Sequence, residues 1–218
     1  MTRFVIATVV ASTLASAASA SFTGYTVQRT ITAGGNSQYQ VFANFSASNL
    51  VFLNAFSFVN VSGTMNARHQ DFFVADGEVG TWQAGSSVSA ADRGEDSWVT
   101  ASGSATSSGW GSALDPGFAN GGTVGDINNG AGWYDATPGT ANNILAGGTQ
   151  GGYRMLLMQV VRSGDDAGQA SSHSMQLAWK VAGTTTAIFG NGSFTIGVPA
   201  PGAMALLGLA GLAGRRRR

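Results

Sequence analysis

Residues 174–181 read Ser-Met-Gln-Leu-Ala-Trp-Lys-Val, with Met175, Leu177, Trp179 and Val181 on every second position and small or polar residues between them. Side chains of an extended chain alternate between two faces, so this run has one dry and one wet face and is a half-buried antiparallel strand. Gln38 to Phe45 repeats the pattern with Tyr39, Val41, Ala43 and Phe45 on one side. Leu50 to Val61 and Arg154 to Arg162 are apolar on both faces, which suits central strands covered by a second layer. Weaker strand candidates are Tyr25 to Ile31, Asp71 to Ala75, Ser97 to Ala101, Thr185 to Phe189 and Ser193 to Ile196. No stretch outside the two ends of the chain carries a capped helical stripe. Short strands, Gly and Asn turns and two packed faces predict an all-β fold, an antiparallel β-sandwich of jelly-roll-like character.

Composition narrows what such a sandwich does. Of 218 residues only 10% are charged, whereas Gly alone numbers 32; a typical globular protein carries charge on about a quarter of its residues. Cysteine is absent, so thiol catalysis and thiolate metal sites are excluded, and burial and hydrogen bonds must hold the fold. Arg3 and Arg215 to Arg218 lie in the terminal segments, which leaves Arg29, Arg68, Arg93, Arg154, Arg162 and Lys180 against 11 acidic residues. This mildly acidic middle repels phosphate backbones, and nucleic acid is not an expected partner.

From residue 101 to 152 the chain becomes a tract of Gly, Ser and Asn, punctuated by Trp110, Leu114-Asp115-Pro116-Gly117-Phe118, Trp133-Tyr134 and Thr137-Pro138-Gly139. About 50 residues exceeds an ordinary connection, so the tract is a functional excursion or a partly ordered loop, and its aromatics argue for some order.

The two ends have a different character. Arg3, the apolar run Phe4 to Leu14 and the small residues Ala18-Ser19-Ala20 form the three parts of a secretory signal, with Ala18 and Ala20 where a signal peptidase must fit. As a helix the apolar run spans about 16 Å, short of a bilayer core of about 30 Å. The expected signal is 1–20, cleaved after Ala20. At the other end, Val198-Pro199-Ala200-Pro201-Gly202 precedes the apolar segment Ala203 to Gly214 and then Arg215, Arg216, Arg217 and Arg218. The prolines keep the first part extended. The apolar segment is a short transmembrane helix of roughly 18 Å, and the four arginines hold its end on the cytoplasmic side.

This order of proline motif, short apolar helix and terminal arginine cluster resembles the PEP-CTERM sorting signal. The usual Glu between the prolines is Ala200 here, as in Pro-Ala-Pro-Gly variants of planctomycete type. The resemblance covers the last 20 or so residues, 198–218. It implies recognition and cleavage by exosortase, a multispanning membrane protease, after transient anchoring in the inner membrane, with delivery to the cell surface or an exopolysaccharide matrix. Signal peptidase and the secretion machinery are the other implied partners. The domain between the signals is expected at 21–197.

The middle offers little chemistry. His69 and His173 are far apart and read as surface residues at strand edges, without the converging ligands a metal needs. Asp76/Glu78, Glu95/Asp96 and Asp165/Asp166 are carboxylate pairs of the kind a glycosidase uses, but the last sits in Ser163-Gly164-Asp165-Asp166-Ala167-Gly168 and reads first as a hairpin turn. Asp126-Ile127-Asn128-Asn129-Gly130 alternates oxygens as a calcium loop does; Gly130 at its fifth position and Thr137 in place of the bidentate acid make it an Asx-rich turn. No catalytic residue, metal or cofactor is expected. Trp110, Trp133 and Tyr134 are the candidates for stacking on sugars, with Trp82 and Trp98 also weighed; Trp98 and Trp179 lie in strands and suit the core, and Trp133 suits pinning its loop. Two functions follow: a non-catalytic surface or matrix component, and a carbohydrate-binding or carbohydrate-processing extracellular domain.

Overall fold

The computed structural model describes residues 21–68, 82, 90–101, 112–115, 118, 124–125, 127–135, 145–146, 153–164, 166 and 169–197. Their elements are β1 (Phe22–Ile31), β2 (Ser37–Phe45), β3 (Leu50–Ser62), β4 (Ala67–Arg68), α1 (Ala90–Gly94), β5 (Trp98–Val99), β6 (Ser112–Leu114), β7 (Val124–Gly125), β8 (Trp133–Asp135), β9 (Leu145–Ala146), β10 (Tyr153–Arg162), β11 (Ser171–Val181) and β12 (Ile188–Ile196). The described protein is all-β, its helix a single turn. Two antiparallel sheets carry it, one ordered β1-β2-β10-β5 with β9 also on β10, the other ordered β12-β11-β3-β8-β6; β4 and β7 form a separate ribbon. No helix among the described residues is long and apolar enough to cross a membrane. The strand expected at Asp71 to Ala75 and both terminal helices lie outside the described residues.

The alternation read from sequence sets which side chains meet between the sheets. Val41, Ala43 and Phe45 of β2 face Phe52 and Phe58 of β3 and Leu177 and Trp179 of β11, all buried. Rings at one end interlock edge to face: Phe22 with Phe45 at 5.8 Å and Phe45 with Trp179 at 5.4 Å between centroids. Such offsets set the positive rim of one ring on the negative face of the next.

Both long edges of the sheet pair are closed. On one side Phe22 and Tyr25 of β1 lie over β12, and Tyr25 Oη donates to the Met175 carbonyl at 3.0 Å; burial pushes its phenol above the ordinary range. The rings fit because β12 presents glycines: a Cβ on Gly190 would stand 2.9 Å from the Trp179 ring, and one on Gly192 would stand 3.1 Å from Tyr25. The two short strands expected at Thr185 to Phe189 and Ser193 to Ile196 are therefore one continuous strand beginning at Ile188. Its Gly-Asn-Gly is a ring seat, not a turn. On the other side the described strands of the excursion, β6 and β8, are built into the second sheet and tied to the first: Trp133 Nε1 donates to the Thr100 carbonyl at 3.1 Å, and Ala101 N to Ser112 Oγ at 2.7 Å.

The jelly-roll expectation is corrected by the pairing. A rolled-up ribbon joins strands so that the first crossing nests inside the second, which would pair β2 with β11 and β3 with β10. Instead β2 pairs with β10 and β3 with β11. The two sheet-to-sheet crossings, β2 to β3 and β10 to β11, consequently sit at opposite ends. Central strand β3 also departs from expectation, because its outer residues Val59 and Val61 are exposed and not covered by a second layer.

Candidate functional site

Polar groups are buried together at the end where β10 crosses to β11. Strand parity puts them there. Ser37 precedes Tyr39 and Val41 on the inner face of β2, Arg162 follows Met158 and Val160 on β10, and Ser171 and His173 precede Met175 on β11. Arg162 is at the centre. Its Nε donates to the Met65 carbonyl at 2.6 Å, Nη1 to Asp166 Oδ2 at 3.0 Å and to the Gln169 carbonyl, and Nη2 to the Thr64 carbonyl at 3.0 Å and to Ser171 Oγ. A guanidinium has five N–H groups, and each finds an acceptor. Gly197 lets the chain pass this close, since a Cβ there would come 2.8 Å from Arg162 Nη1.

Asp166 balances the charge. Tyr39 Oη donates to its Oδ1 at 2.5 Å, and Arg29 Nη2 approaches to 3.7 Å from the partly exposed side. Burial alone pushes this carboxyl up, but Tyr39, Arg162 and Ser37 outweigh it and hold it below the usual carboxylate range. Tyr39 responds in the opposite sense: burial, then the Asp166 carboxylate, push its phenol up to about 12. The crossing is tied to β2 as well, because Ser37 N and Oγ both donate to the Gly164 carbonyl, and Gly164 N to Asn36 Oδ1.

A second arm runs from Ser171. Its Oγ lies 2.8 Å from His173 Nε2, and His173 Nδ1 lies 2.9 Å from Asn60 Oδ1. Asn60 Nδ2 donates to the Ile127 carbonyl, which fixes Oδ1 as acceptor, so Nδ1 of the imidazole carries the proton. In the neutral imidazole a proton on Nδ1 leaves Nε2 as the acceptor, so the Ser171 hydroxyl, which accepts from Arg162, donates to Nε2. The imidazole is stacked on Phe58 at 5.4 Å. Hydroxyl, imidazole and amide in line is the arrangement that activates a nucleophile, yet Ser171 and His173 are both 0% exposed. The geometry is a closed latch between β11, β10 and β3.

Nearby, Glu95 receives Gly34 N at 2.8 Å, Thr32 Oγ1 at 2.8 Å and Asn36 Nδ2 at 2.7 Å. Burial raises its carboxyl, and the Asn36, Thr32 and Gly34 bonds together with Arg68 more than offset this, leaving it lowered. The carboxylate binds the segment after α1 to the β1–β2 turn.

Three sequence readings change here. His173 is no surface residue; continuing the period-two face of β11 back from Met175 leads to it and to Ser171. Asp166 does not sit in a hairpin turn but in the crossing between sheets, as a buried ion partner. Trp133, 1% exposed, cannot stack on a sugar, whereas Tyr134 next to it is 45% exposed on the outer face. Asn128 to Ala131 forms the expected turn, with Asn129 Oδ1 accepting from Asn60 N at 2.7 Å. Trp82, Trp98 and Trp179 are buried. Trp110, His69, Asp76, Glu78, Asp126, Thr137, Asp165, Ala18, Ala20, Pro199 to Gly202 and Arg215 to Arg218 lie outside the described residues. No group of three or more His, Asp or Glu gathers for a metal among the described residues. Sequence patterning does not single out Arg162 and Tyr39 as members of a polar site, although a charged residue on the buried parity of an apolar strand is a readable signal. The chain matches no family model, no curated protein and no solved structure.

Proposed function

We propose that the chain is an exported, non-catalytic component of the cell surface or extracellular matrix, led out by residues 1–20 and sorted through 198–218 by an exosortase-type protease. The observation that carries this is the sequence of parts in the tail: Pro199-Ala200-Pro201-Gly202, an apolar segment and then Arg215 to Arg218. The interior is in keeping with it, since the serine and imidazole that resemble a reactive pair are spent on bracing. The finer architecture is a β-sandwich flanked by the two terminal helices. Its strand orders, β1-β2-β10-β5 and β12-β11-β3, parallel the ABED and GFC orders of immunoglobulin-type Greek-key sandwiches. A second reading, glycan binding, draws support from Tyr134 alone of the three aromatics named for it.

The test is the mass and N-terminus of the extracellular form in the producing cell. The expected product begins at Ser21 and ends near Pro201. Replacing Arg215 to Arg218 together should leave a longer, membrane-held precursor; unchanged delivery and unchanged mass would overturn the proposal.

A further inference from the structure

The outer face of the β12-β11-β3-β8-β6 sheet holds a row of residues in register across all five strands: Phe189 pairs with Ala178, Ala178 with Asn54, Asn54 with Tyr134 and Tyr134 with Ala113. Phe189 is 67% exposed and Tyr134 45%. Between them Ala178 points outward yet is only 3% exposed, so it is a shielded floor between raised rings. Three strand spacings separate the rings, roughly 14 Å. The adjoining row of the same face pairs Asn191 with Gln176 and Gln176 with Phe56, whose ring meets Phe189 edge-on at 6.3 Å.

The chemistry of this face is specific. It offers aromatic rings, which take the C–H faces of a pyranose, and carboxamides, which both donate to and accept from hydroxyls. Asn54 Oδ1 is buried in the floor with no hydrogen-bond partner among the described residues, a cost that turning the carboxamide outward to a ligand donor would relieve. Over β12, β11 and β3 the two rows contain no charged residue; Lys180, two positions beyond Ala178 on the same face, and Asp115, beside Gly132 where the second row runs on past Phe56, stand at their margins. With one charge of each sign, both at the rim, the face offers no net field to an acidic or a cationic ligand. A peptide partner would gain little from an array of amides without an open strand edge, because β12 and β6, not the sheet face, end the ladder.

We propose that this face binds a neutral polysaccharide laid across the strands, with Tyr134 and Phe189 as stacking platforms and Asn54 and Gln176 as hydroxyl partners. Such a ligand deepens the surface-component reading and rests on it only for the place where the two meet.

The test is affinity electrophoresis of the full chain through gels containing hydroxyethylcellulose, dextran or galactomannan, with alginate as an acidic counterpart. Retardation by at least one neutral polymer is expected. Tyr134→Ala and Phe189→Ala should each weaken it about tenfold, equivalent to ~1.4 kcal/mol, and Tyr134→Phe should preserve it. Thermal melting of each variant, unchanged from the parent, separates lost binding from lost folding. No retardation by any neutral polymer, retardation by alginate alone, or undiminished binding by the Tyr134→Ala/Phe189→Ala double variant would overturn the proposal. So would sedimentation showing that Tyr134→Ala dissolves a dimer, since the face would then pair with a second copy. None of these outcomes alters the size of the exported product, so the sorting proposal stands or falls separately.

Discussion

The two ends of the space between the sheets are filled by opposite chemistry. Where β2 crosses to β3, Phe22, Phe45 and Trp179 fill it with interlocking rings. Where β10 crosses to β11, Arg162, Asp166, Tyr39, Ser171 and His173 fill it with directional bonds. Apolar packing loses stability in proportion to what is removed, because each lost contact is small. A buried ionic cluster behaves differently: removing one member leaves another desolvated and unpaired. The aromatic end is thus a graded contribution, the polar end an interdependent one.

Arg162→Met offers the largest expected effect on that contrast. It removes the nearest cation from the Asp166 carboxylate and should cost about 3–5 kcal/mol in urea unfolding, with part of the loss, that of the poorly paired carboxylate, recovered when Asp166→Leu is added. Trp179→Ala should cost a similar amount, but no second substitution at its neighbours should restore it. Equal recovery at both ends would erase the distinction.

Acid acts on the same carboxylate. Asp166 is held below its unfolded value, so the stability it contributes is complete above the unfolded carboxylate pKa of about 3.9 and is lost as pH falls through the lower folded value. Urea midpoints of the parent should therefore fall more steeply on acidification than those of Asp166→Asn, while Trp179→Ala should keep the parental slope.

A smaller effect is expected from Gly190→Ala at the aromatic edge, about 1–3 kcal/mol from overpacking against the Trp179 ring. Combining it with Trp179→Phe should cost less than the sum of the two, read as coupling in a double-mutant cycle. The smallest belongs to the exposed face: Tyr134→Ala should change stability by about 0.5 kcal/mol or less, so a larger shift in its melting curve would mean that Tyr134 supports the fold.

Much of the aromatic end is legible in the chain itself. Tyr39 to Phe45 and Met175 to Val181 announce their buried face because the period of a strand is two and apolar residues obey it. The polar end is hidden by residue type: His173 and Ser171 obey the same period, but a polar residue on a buried parity looks like the place where the strand stops. Asp165-Asp166 beside Gly164 looks like a turn because local sequence offers no sign that Arg162 and Tyr39 converge on Asp166. The separation of Trp133 from Tyr134 becomes readable only when β8 has a partner, since two adjacent strand residues must face opposite ways and nothing local says which faces in.

The sequence by itself determined the β character, the long strands and their buried faces, because these follow from local alternation along the backbone. Tertiary structure alone decided that β2 pairs with β10 and β3 with β11 rather than in a rolled ribbon, that Gly190 and Gly192 seat rings, and that Arg162 has five acceptors. Each of these depends on residues from distant strands being brought within a few ångströms, and contact of that kind leaves no period in the chain that makes it.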